Sequence, residues 1–447
     1  MNTKPHIVVL GAGESGTGAA LLAKRRGMGV FVSDSKPIKP VYRTLLQHEN
    51  IDFEEGGHSA GLFDQATEVV KSPGIPDTAP IVLQAVNAGI PVISEIEFAA
   101  RFTDAQTVCV TGSNGKTTTT SLIWHIMQGA GMDAGLAGNV GNSFARMVSE
   151  QQHSHYALEL SSFQLDGMYS FKAGIAVLLN ITPDHLDRYD YNMEKYAASK
   201  LRIIQNQTPS DSFIWCADDE VSARLTEQME LKQQVYRYSL TQKGHEGAWM
   251  ENNTIVFNIK GETFTMSIEE LALQGKHNIH NSMAAGIATK LLGIRKETIR
   301  QCLSDFRNIE HRLEHVANIH GIEFINDSKA TNINSAWWAL ESQQRPVIWI
   351  AGGVDKGNDY TKLYDVVKEK VKALVCLGTD NQKLVDAFTG IIPVITITGS
   401  ARDAVNTSYY LAEDGDVVLL APACASFDLF ENYEDRGRQF KAAVKEL

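Results

Sequence analysis

Short apolar runs alternate with helix-like stretches along most of this chain. The runs His6–Leu10, Val30–Ser33 and Thr107–Val110 each lead directly into glycine, aspartate or threonine. Continuous apolar runs of this length are typical of strands that are buried on both faces of a parallel sheet. Because helical patterns separate the runs, the sequence predicts βαβ units and an α/β fold.

The further predicted strands fall into three segments, with boundaries at 1–94, 95–308 and 309–447. The first segment adds Glu68–Val70 and Pro91–Ser94. The second adds Tyr156–Leu160, Ile175–Leu179 and a hairpin within Trp249–Ile259 that turns at Asn252 and Asn253. The third contains Glu323–Ile325, Val347–Ile350, Ala373–Cys376, Val394–Ile397 and Val417–Leu420.

Composition and charge are those of an ordinary globular protein. The chain has 447 residues, with 41 Lys and Arg against 53 Asp and Glu, so its net charge of −12 disfavours a general nucleic-acid surface. We find no run of eighteen apolar residues and no secretory h-region, so neither a membrane span nor secretion is expected. The five cysteines are scattered, which indicates reduced thiols and a cytoplasmic location; they are Cys109, Cys216, Cys302, Cys376 and Cys424.

The run Thr111–Thr120 has the composition of a phosphate-binding loop. Gly112 and Gly115 permit tight turns, Lys116 adds a positive charge, and the Thr117 hydroxyl can ligate a phosphate-bound magnesium ion. A helix-like segment follows, so its positive N-terminal end would face the same phosphates. The spacing is shorter than that of the usual Walker A motif, because Val110 stands where that motif has glycine. This disfavours an ordinary GTPase switch or a kinase.

A second glycine-rich turn, Gly11–Gly16, follows the first predicted strand. The next strand delivers Asp34, at the distance where a dinucleotide fingerprint places a ribose-binding acid. The segment is too short for both halves of a full dinucleotide fold. A uridine-type diphosphate is therefore as plausible a ligand as NAD.

Other polar residues follow predicted strands. Glu159 is the natural magnesium partner of Thr117, while His185 lies in a polar loop and is equally compatible with a structural or a site role. Lys200, taken by spacing alone, is a solvated lysine on a helix. Two later loops carry lysines that could bind anions; they are Asp327–Thr331 and Gly352–Gly357.

With these motifs the chain resembles the Mur ligase family over essentially all of its length. The matching motifs are Thr111–Thr118, Glu159–Gln164, Asn180–Arg188, Lys200, His277–Asn281, His311-Arg312, Asp327–Asn332 and Gly352–Gly357, with Lys71–Ile75 and Pro422–Gly437 in the flanking segments. The resemblance implies three α/β domains: a Rossmann-like N-terminal domain, a central P-loop-type ATPase domain with a mostly parallel sheet, and a Rossmann-like C-terminal domain.

The resemblance also implies an activity. ATP would phosphorylate the carboxylate of UDP-N-acetylmuramoyl-L-alanine, and the amine of D-glutamate would attack the acyl phosphate, in cytoplasmic peptidoglycan precursor synthesis. The N-terminal domain would bind the UDP substrate, the central domain ATP and the C-terminal domain the amino acid. Mg2+ is expected at two sites, and we expect a monomer that binds neither nucleic acid nor membrane.

The residue roles implied by the resemblance are as follows. Catalysis would use Lys116, Glu159, His185 and Lys200. The metal ligands would be Thr117, Glu159, His185 and a carbamylated Lys200. ATP would be bound by Gly112, Ser113, Asn114, Gly115, Lys116, Thr117, Thr118, Asn278, Arg312 and Asp327. The UDP substrate would be bound by Ser15, Asp34, Ser35, Lys36, Gly74, Asn139 and Gln164. D-Glutamate would be bound by Lys329, Thr331, Lys356, Ser426 and Tyr433.

Three residues depart from the family pattern or lack an explanation. Lys36 stands where some relatives have arginine, which removes a planar bidentate contact near the uracil site. Tyr433 stands where phenylalanine is common, and Glu14 places an unexplained negative charge beside the expected diphosphate.

The alternatives leave different features unexplained. An NAD(P)-dependent oxidoreductase would leave the loop around Lys116 without a role, and a non-enzymatic nucleotide-binding module would leave the metal-ligand candidates without one. The serious rival is a related ligase, such as the L-alanine-adding or folyl-polyglutamate enzymes, because it shares the central domain.

Overall fold

The structure is a computed structural model that describes residues 6–306 and 310–447. Its internal contacts define two compact units, unit 1 up to Phe306 and unit 2 after it. The expected boundary between 308 and 309 lies outside the described residues.

Unit 1 begins with a five-stranded, fully parallel sheet in the order β3-β2-β1-β4-β5. Helices pack beside it, two of which begin with proline, where the missing backbone N–H costs nothing. The strands are β1 His6–Leu10, β2 Gly29–Asp34, β3 Asp52–Glu55, β4 Glu68–Lys71 and β5 Val92–Ser94; the helices are α1 Glu14–Arg25, α2 Pro40–His48, α3 Pro80–Asn87 and α4 Glu95–Ala100.

The second sheet of unit 1 has nine strands in the order β14-β13-β12-β11-β10-β9-β6-β8-β7. It is parallel from β7 to β12 and antiparallel through β13 and β14. The strands are β6 Gln106–Thr111, β7 Ala134–Gly138, β8 His155–Glu159, β9 Ile175–Leu178, β10 Ser212–Cys216, β11 Gln234–Ser239, β12 Gly247–Glu251, β13 Thr254–Ile259 and β14 Glu262–Ser267.

Seven helices of unit 1 accompany this sheet. They are α5 Lys116–Gly129, α6 Phe144–Glu150, α7 Ser162–Asp166, α8 Met193–Leu201, α9 Glu220–Glu227, α10 Lys276–Leu291 and α11 Lys296–Asp305, with short 3-10 turns at Leu186–Tyr189, Arg202–Ile204 and Ile268–Glu270. One buried apolar cluster contains residues of both sheets of unit 1, from Ile7 and Val32 to Phe213. The two sheets therefore share a core, which fixes the position of one against the other.

Unit 2 contains a six-stranded sheet in the order β15-β16-β20-β17-β18-β19, parallel except for β15. Apolar clusters cover both of its faces, as a doubly wound sheet requires. Its elements are β15 Glu314–Ile319, β16 Ile322–Asn326, α12 Ile333–Glu341, β17 Val347–Ala351, α13 Tyr364–Lys370, β18 Val371–Leu377, α14 Gln382–Phe388, β19 Val394–Thr398, α15 Ala401–Leu411, β20 Val417–Leu420 and α16 Tyr433–Lys445, with a 3-10 turn at Tyr360–Leu363.

The predicted α/β fold with mostly parallel sheets is confirmed. The predicted hairpin is also present, since β12 and β13 are antiparallel and are joined by Asn252 and Asn253, both at positive φ. Asparagine tolerates this left-handed conformation better than most residues, which is why the pair marks a two-residue hairpin turn. Among the described residues, no helix has the length and apolar character needed to cross a bilayer.

Candidate active site

The loop between β6 and α5 forms the centre of the candidate site. Gly112 and Gly115 have φ of 155° and 81°, so the loop uses backbone conformations that favour glycine. A Cβ at Gly112 would lie 2.9 Å from the Leu179 Cβ, and one at Gly115 would lie 2.5 Å from Oδ1 of Asn281. Both glycines therefore permit a turn and a close approach that a side chain would prevent.

This loop is hydrogen-bonded to the segment that follows β9. The Ser113 backbone N–H donates to the Asn180 carbonyl (2.9 Å), and the Ser113 hydroxyl donates to the Thr182 carbonyl (2.8 Å). The Asn114 backbone N–H donates to Oδ1 of Asn180 (2.9 Å), whose own amide donates back to the Asn114 carbonyl (3.1 Å). The two segments are thus held together by polar contacts, a rigid arrangement suited to a phosphate group.

Two lysine side chains converge on one carbonyl oxygen of this loop. Nζ of Lys116 donates to the Gly112 carbonyl at 2.9 Å and to the Ser113 carbonyl at 2.8 Å. Nζ of Lys200, from the last turn of α8, donates to the same Gly112 oxygen at 2.8 Å. Two ammonium groups this close together repel each other strongly, so the arrangement favours one neutral amine.

Lys200 is the lysine whose surroundings disfavour the charged form. Its side chain is 1% exposed, and burial is the main cause that lowers its pKa well below the usual lysine value, followed by the charge of Lys116. Nζ also lies 4.7 Å from the ring centre of Tyr196, whose hydroxyl is 3.0 Å from that of Ser113. The solvated helical lysine inferred from spacing alone is therefore wrong, because α8 turns this face into the protein interior.

Glu159 ends β8, next to β6 in the sheet, with Val110 as its register partner. The carboxylate is 1% exposed, and its Oε1 accepts the side-chain amide of Asn139 at 2.7 Å. Asn139 also donates its backbone N–H to the Glu159 carbonyl, which fixes the loop after β7 beside β8. Thr117 and Thr118, both buried, occupy the first turn of α5 at the same carboxyl edge of the sheet.

His185 lies in the loop after β9 in a left-handed conformation (φ 51°). Its side chain is 40% exposed, its ring meets Phe163 edge to face with centroids 5.3 Å apart, and Nε2 is 3.7 Å from Oδ1 of Asp184. The guanidinium of Arg188 covers the same Phe163 ring at 4.4 Å. The histidine is thus partly held by an aromatic contact while its ring remains accessible to a ligand.

The start of α10 contacts the phosphate-binding run Thr111–Thr120 through Asn281, and Asn281 in turn contacts Asn278. The amide of Asn281 donates to Oδ1 of Asn278 (3.2 Å), and Oδ1 of Asn281 accepts the Thr119 hydroxyl (3.2 Å). Asn278 donates to the Gln274 carbonyl and is buried. Within unit 1, Asn278 is therefore joined to this run through Asn281, a residue of the His277–Asn281 motif that had no predicted role.

The glycine-rich turn of the first sheet is organised by Asp34. Its Oδ2 accepts the Ala12 backbone N–H at 2.7 Å, and its Oδ1 accepts that of Lys36 at 2.9 Å. Ser15 lies in the first turn of α1, while Ser35 and Lys36 are exposed just after β2. These residues line the carboxyl ends of β1 and β2, the edge where ligands bind in open parallel sheets.

The Glu14 carboxylate is paired with residues on or next to α6. One carboxylate oxygen accepts the Ser143 backbone N–H (3.2 Å), and the other pairs with Arg146 (3.1 Å), both on or next to α6. This explains the charge that sequence reasoning left unexplained, since it links α1 to the second sheet.

Two other residues expected to bind the UDP substrate, Gly74 and Gln164, lie in different surroundings from each other. Gly74 is exposed, and its carbonyl accepts a long hydrogen bond (3.4 Å) from Arg188. Gln164 is 1% exposed, and its Oε1 accepts both the backbone N–H and the hydroxyl of Ser161 as part of a capping box at the start of α7. The Gln164 side-chain oxygen is therefore engaged within its own helix.

In unit 2, Lys329 and Tyr433 lie in direct contact. The Lys329 ammonium lies 3.6 Å from the ring centre of Tyr433, the first residue of α16. Thr331 is two residues after Lys329 in the same loop. The loop containing Lys356 pairs with the loop before Ser426 through backbone hydrogen bonds between Val354 and Ala425. Four of the five residues expected to bind an amino acid thus lie in two local groups, Lys329 with Tyr433 and the loop of Lys356 with that of Ser426. Lys356 is exposed and Ser426 is buried.

Asp327 and Arg312 are also in unit 2. Asp327 follows β16, and burial raises the pKa of its carboxyl to about 7, against the opposing charge of Arg312. Asn278, the third side chain expected to bind ATP, belongs to unit 1.

Arg436 is a residue that the sequence motif contained but whose role was not recognised. Its guanidinium is 1% exposed and donates to the Ser328 hydroxyl (3.0 Å) and carbonyl (2.9 Å), with longer bonds to the carbonyls of Cys424 and Gly352. Burial lowers its pKa to about 10. One side chain therefore joins the three loops that carry the expected amino-acid-binding residues.

Three family models match the sequence and together span most of it. They are Mur ligase MurD-like, N-terminal domain (residues 5–94), Mur ligase middle domain (residues 110–289) and Mur ligase, glutamate ligase domain (residues 311–424). The expectation of three α/β domains of these kinds is confirmed.

Similar proteins of known name extend over the whole chain. A Bacteroides fragilis protein named UDP-N-acetylmuramoylalanine--D-glutamate ligase is 54% identical over 443 residues, covering 99% of this chain and 100% of that protein. Proteins of the same name from Christiangramia forsetii and Salinibacter ruber are 52% and 41% identical, with 99% of this chain covered in both cases.

Solved structures with the same fold include two from Thermotoga maritima. UDP-N-acetylmuramate-alanine ligase MurC superposes with a TM-score of 0.64 at 16% identity, covering 99% of both chains. MurF ligase in complex with ADP gives a TM-score of 0.61 at 13% identity, covering 94% of this chain and 95% of that one. At these identities the two structures are evidence for the fold alone.

Proposed function

The chain belongs to the Mur ligase family, and on that premise we propose that it joins D-glutamate to UDP-N-acetylmuramoyl-L-alanine while ATP is converted to ADP and phosphate. The observation that carries the proposal is the 54% identity over the full length of a relative that bears this activity in its name. The protein is thus an ATP-dependent ligase of peptidoglycan precursor synthesis, and we place it in the cytoplasm as a monomer.

The chemistry divides a difficult amide synthesis into two easier steps. A carboxylate oxygen of the alanyl group attacks the γ-phosphorus of ATP, ADP leaves, and an acyl phosphate remains. The amine of D-glutamate then attacks the acyl carbon, and the tetrahedral intermediate expels phosphate and loses a proton. Lys116 and the backbone N–H groups of the loop Gly112–Gly115 would hold the transferring phosphoryl group.

The residues of unit 1 fit magnesium ions bound with ATP. Mg2+ prefers hard oxygen ligands, which the Thr117 hydroxyl and the Glu159 carboxylate supply at one edge of the sheet. When bound there, the ion would neutralise phosphate charge and favour transfer. We assign Thr117 and Glu159 to one ion, and His185 with a modified Lys200 to a second.

A modified Lys200 is supported by the burial of its amine, which lowers the pKa of the lysine and so favours the neutral form. The lone pair of a neutral amine can attack the carbon of CO2, which gives a carbamate and releases one proton. The product carries oxygen ligands and a negative charge, so it would relieve the repulsion with Lys116 and satisfy the preference of Mg2+. An ammonium group would do neither.

The substrates would be divided between the two units. We assign the uridine nucleotide to the edge organised by Asp34, with Ser15, Ser35, Lys36, Gly74, Asn139 and Gln164 as contacts. We assign D-glutamate to Lys329, Thr331, Lys356, Ser426 and Tyr433. The cationic lysines among them suit the two carboxylates of glutamate, while Asn278, Arg312 and Asp327 would bind ATP.

The rival is a Mur ligase that adds another amino acid, and one experiment distinguishes the two. Phosphate release is measured with ATP and UDP-N-acetylmuramoyl-L-alanine in the presence of D-glutamate, L-glutamate or L-alanine in turn. We expect release with D-glutamate, and a product whose mass corresponds to loss of water between the two substrates. Phosphate release that does not depend on D-glutamate, or that is faster with L-alanine, would overturn the assignment.

A further inference from the structure

A cluster of three potential metal ligands lies on the outer side of unit 1, where α5 packs against α11. It consists of His125 on α5 with Cys302 and Asp305 on α11. One ligand atom of each residue lies within 4.8 Å of those of the other two. Because His125 is nine positions beyond Lys116, it is about 13 Å along the helix from the phosphate-binding loop. The cluster is therefore separate from the candidate active site.

The local sequence explains how the three side chains meet. Cys302 and Asp305 are three residues apart, so they project from the same face of α11. Gly129, near the end of α5, has no side chain, and a Cβ there would collide with the Cys302 sulfur. The glycine thus lets the thiol reach into the groove between the two helices.

Existing contacts already hold the donors in place. Nε2 of His125 lies 2.8 Å from Oδ1 of Asp305, and the His125 ring meets Phe306 edge to face with centroids 5.4 Å apart. The other carboxylate oxygen accepts the Gln301 amide at 3.3 Å. Such second contacts fix the orientation of ligands, as they do around known metal sites.

Access is open on one side of the cluster. The Cys302 residue is 5% exposed, whereas the side chains of His125 and Asp305 are 34% and 49% exposed. An ion can therefore approach past the histidine and the carboxylate, and water can complete a fourth position. In a tetrahedral zinc site, neighbouring ligand atoms are about 3.3–3.8 Å apart, so adjustments of about 1 Å suffice here.

We propose that His125, Cys302 and Asp305 form a binding site for Zn2+, distinct from the magnesium sites of the reaction. A thiolate, an imidazole and a carboxylate form a donor set typical of zinc, while Mg2+ discriminates against sulfur and nitrogen. Binding releases the thiol proton, and the imidazole exchanges its contact with the carboxylate for one with the metal. The bound ion would clamp α11 to α5.

A second cluster, of Cys216, Asp218 and His280, provides an internal comparison. There the carboxylate already accepts bonds from Ser239, Leu240 and Thr241 as well as from the histidine at 2.8 Å. The hydrogen bond to the aspartate also raises the pKa of His280 to about 9, which favours a proton on the imidazole. A metal would have to displace this proton, so we assign the zinc site to the His125 cluster and not to this one.

Cobalt is the appropriate probe, since Co2+ bound to a thiolate gives a sulfur-to-metal absorption band that Mg2+ or oxygen-bound Co2+ does not. The full-length protein, freed of metal by a chelator, is titrated with CoCl2 in buffer that contains excess Mg2+. We expect the band to saturate at one equivalent per chain and to disappear on addition of ZnCl2.

Variants locate the site. Cys302→Ser should abolish the band, and His125→Ala should weaken cobalt binding by about 10- to 100-fold or more, with circular dichroism to check that each variant is folded. Cys216→Ser is the matched control and should retain the band. Absence of the band in the unaltered protein, its persistence in Cys302→Ser, or its loss in Cys216→Ser instead would each overturn the proposal. None of these readings depends on ligase activity.

Discussion

Replacing Lys200 by alanine perturbs the candidate site at its most unusual feature. The side chain is 1% exposed, and its Nζ shares the Gly112 carbonyl with Lys116 at distances of 2.8 and 2.9 Å. If the amine is carbamylated, the variant lacks a negatively charged oxygen ligand. If it is not, the variant lacks a hydrogen-bond donor that Lys116 can replace.

The two cases differ in magnitude. Loss of partners that only orient metal ligands costs about 10- to 100-fold in activity, so loss of a ligand itself should lower kcat by at least about 100-fold. This corresponds to about 2.7 kcal/mol of activation free energy. The free energy of unfolding should change by no more than about 2 kcal/mol, because the Gly112 carbonyl keeps one donor and a buried amine is removed.

The assay is ATP-dependent phosphate release, with and without a series of short carboxylic acids such as acetate and propionate. We expect the acids to restore part of the activity of Lys200→Ala, because they can supply the missing carboxylate-like ligand in the space the side chain leaves. Lys195→Ala is the matched control: it lies on the same helix, is 57% exposed and pairs with Asp190 at 2.6 Å. Its loss should cost about 1 kcal/mol of stability or less and leave turnover unchanged.

Normal turnover of Lys200→Ala would refute the reasoning. A large loss that no acid restores would also contradict the carbamate.

Three further predictions concern stability. Burial raises the pKa of the Glu95 carboxyl in the folded state to about 8. Between about pH 5 and pH 8 the folded state therefore binds more protons than the unfolded state, and the free energy of unfolding falls by up to about 1.4 kcal/mol per pH unit. Glu95→Gln removes this carboxyl, so it should make the fall with rising pH less steep. An unchanged slope in urea titrations across this range would count against it. Gly115→Ala should lower the free energy of unfolding by about 1–2 kcal/mol, because alanine is strained at this positive φ. It should also raise the KM for ATP, because the new methyl group meets Asn281. An unaltered KM would show that the loop can relax. Arg436→Leu should destabilise unit 2 by at least about 3 kcal/mol in urea unfolding, since it leaves several carbonyls without a donor. Arg438 is exposed, so the control Arg438→Leu should cost about 0.5 kcal/mol or less. Equal effects of the two substitutions would argue against the role of Arg436.

Apolar runs were sufficient to predict most interior strands of the three sheets, but two interior strands of the second sheet, β10 and β11, were not predicted. The strands that were missed are mostly at edges, where burial imposes little pattern. Asp52–Glu55 is polar and half exposed, Ala134–Gly138 has the small residues of a turn, and Glu262–Ser267 alternates only weakly. Tertiary pairing, not local preference, determines these strands.

The site shows the same division between local and tertiary information. The loop at Gly112–Gly115 could be recognised because its glycines and lysine serve a local backbone geometry. Lys200 could not be recognised by spacing, since its burial arises from packing against a loop 88 residues earlier in the chain. Glu14 and Arg436 likewise act through partners far away in sequence, 129 and 108 residues respectively.

Activation of the substrate carboxylate can be followed through the fate of its oxygen atoms. UDP-N-acetylmuramoyl-L-alanine labelled with 18O in its carboxylate is incubated with the protein, ATP and D-glutamate, and the released phosphate is analysed by mass spectrometry. If the carboxylate is activated as an acyl phosphate, each phosphate should carry one 18O atom from the substrate. Phosphate without 18O, formed together with the ligated product, would contradict the account.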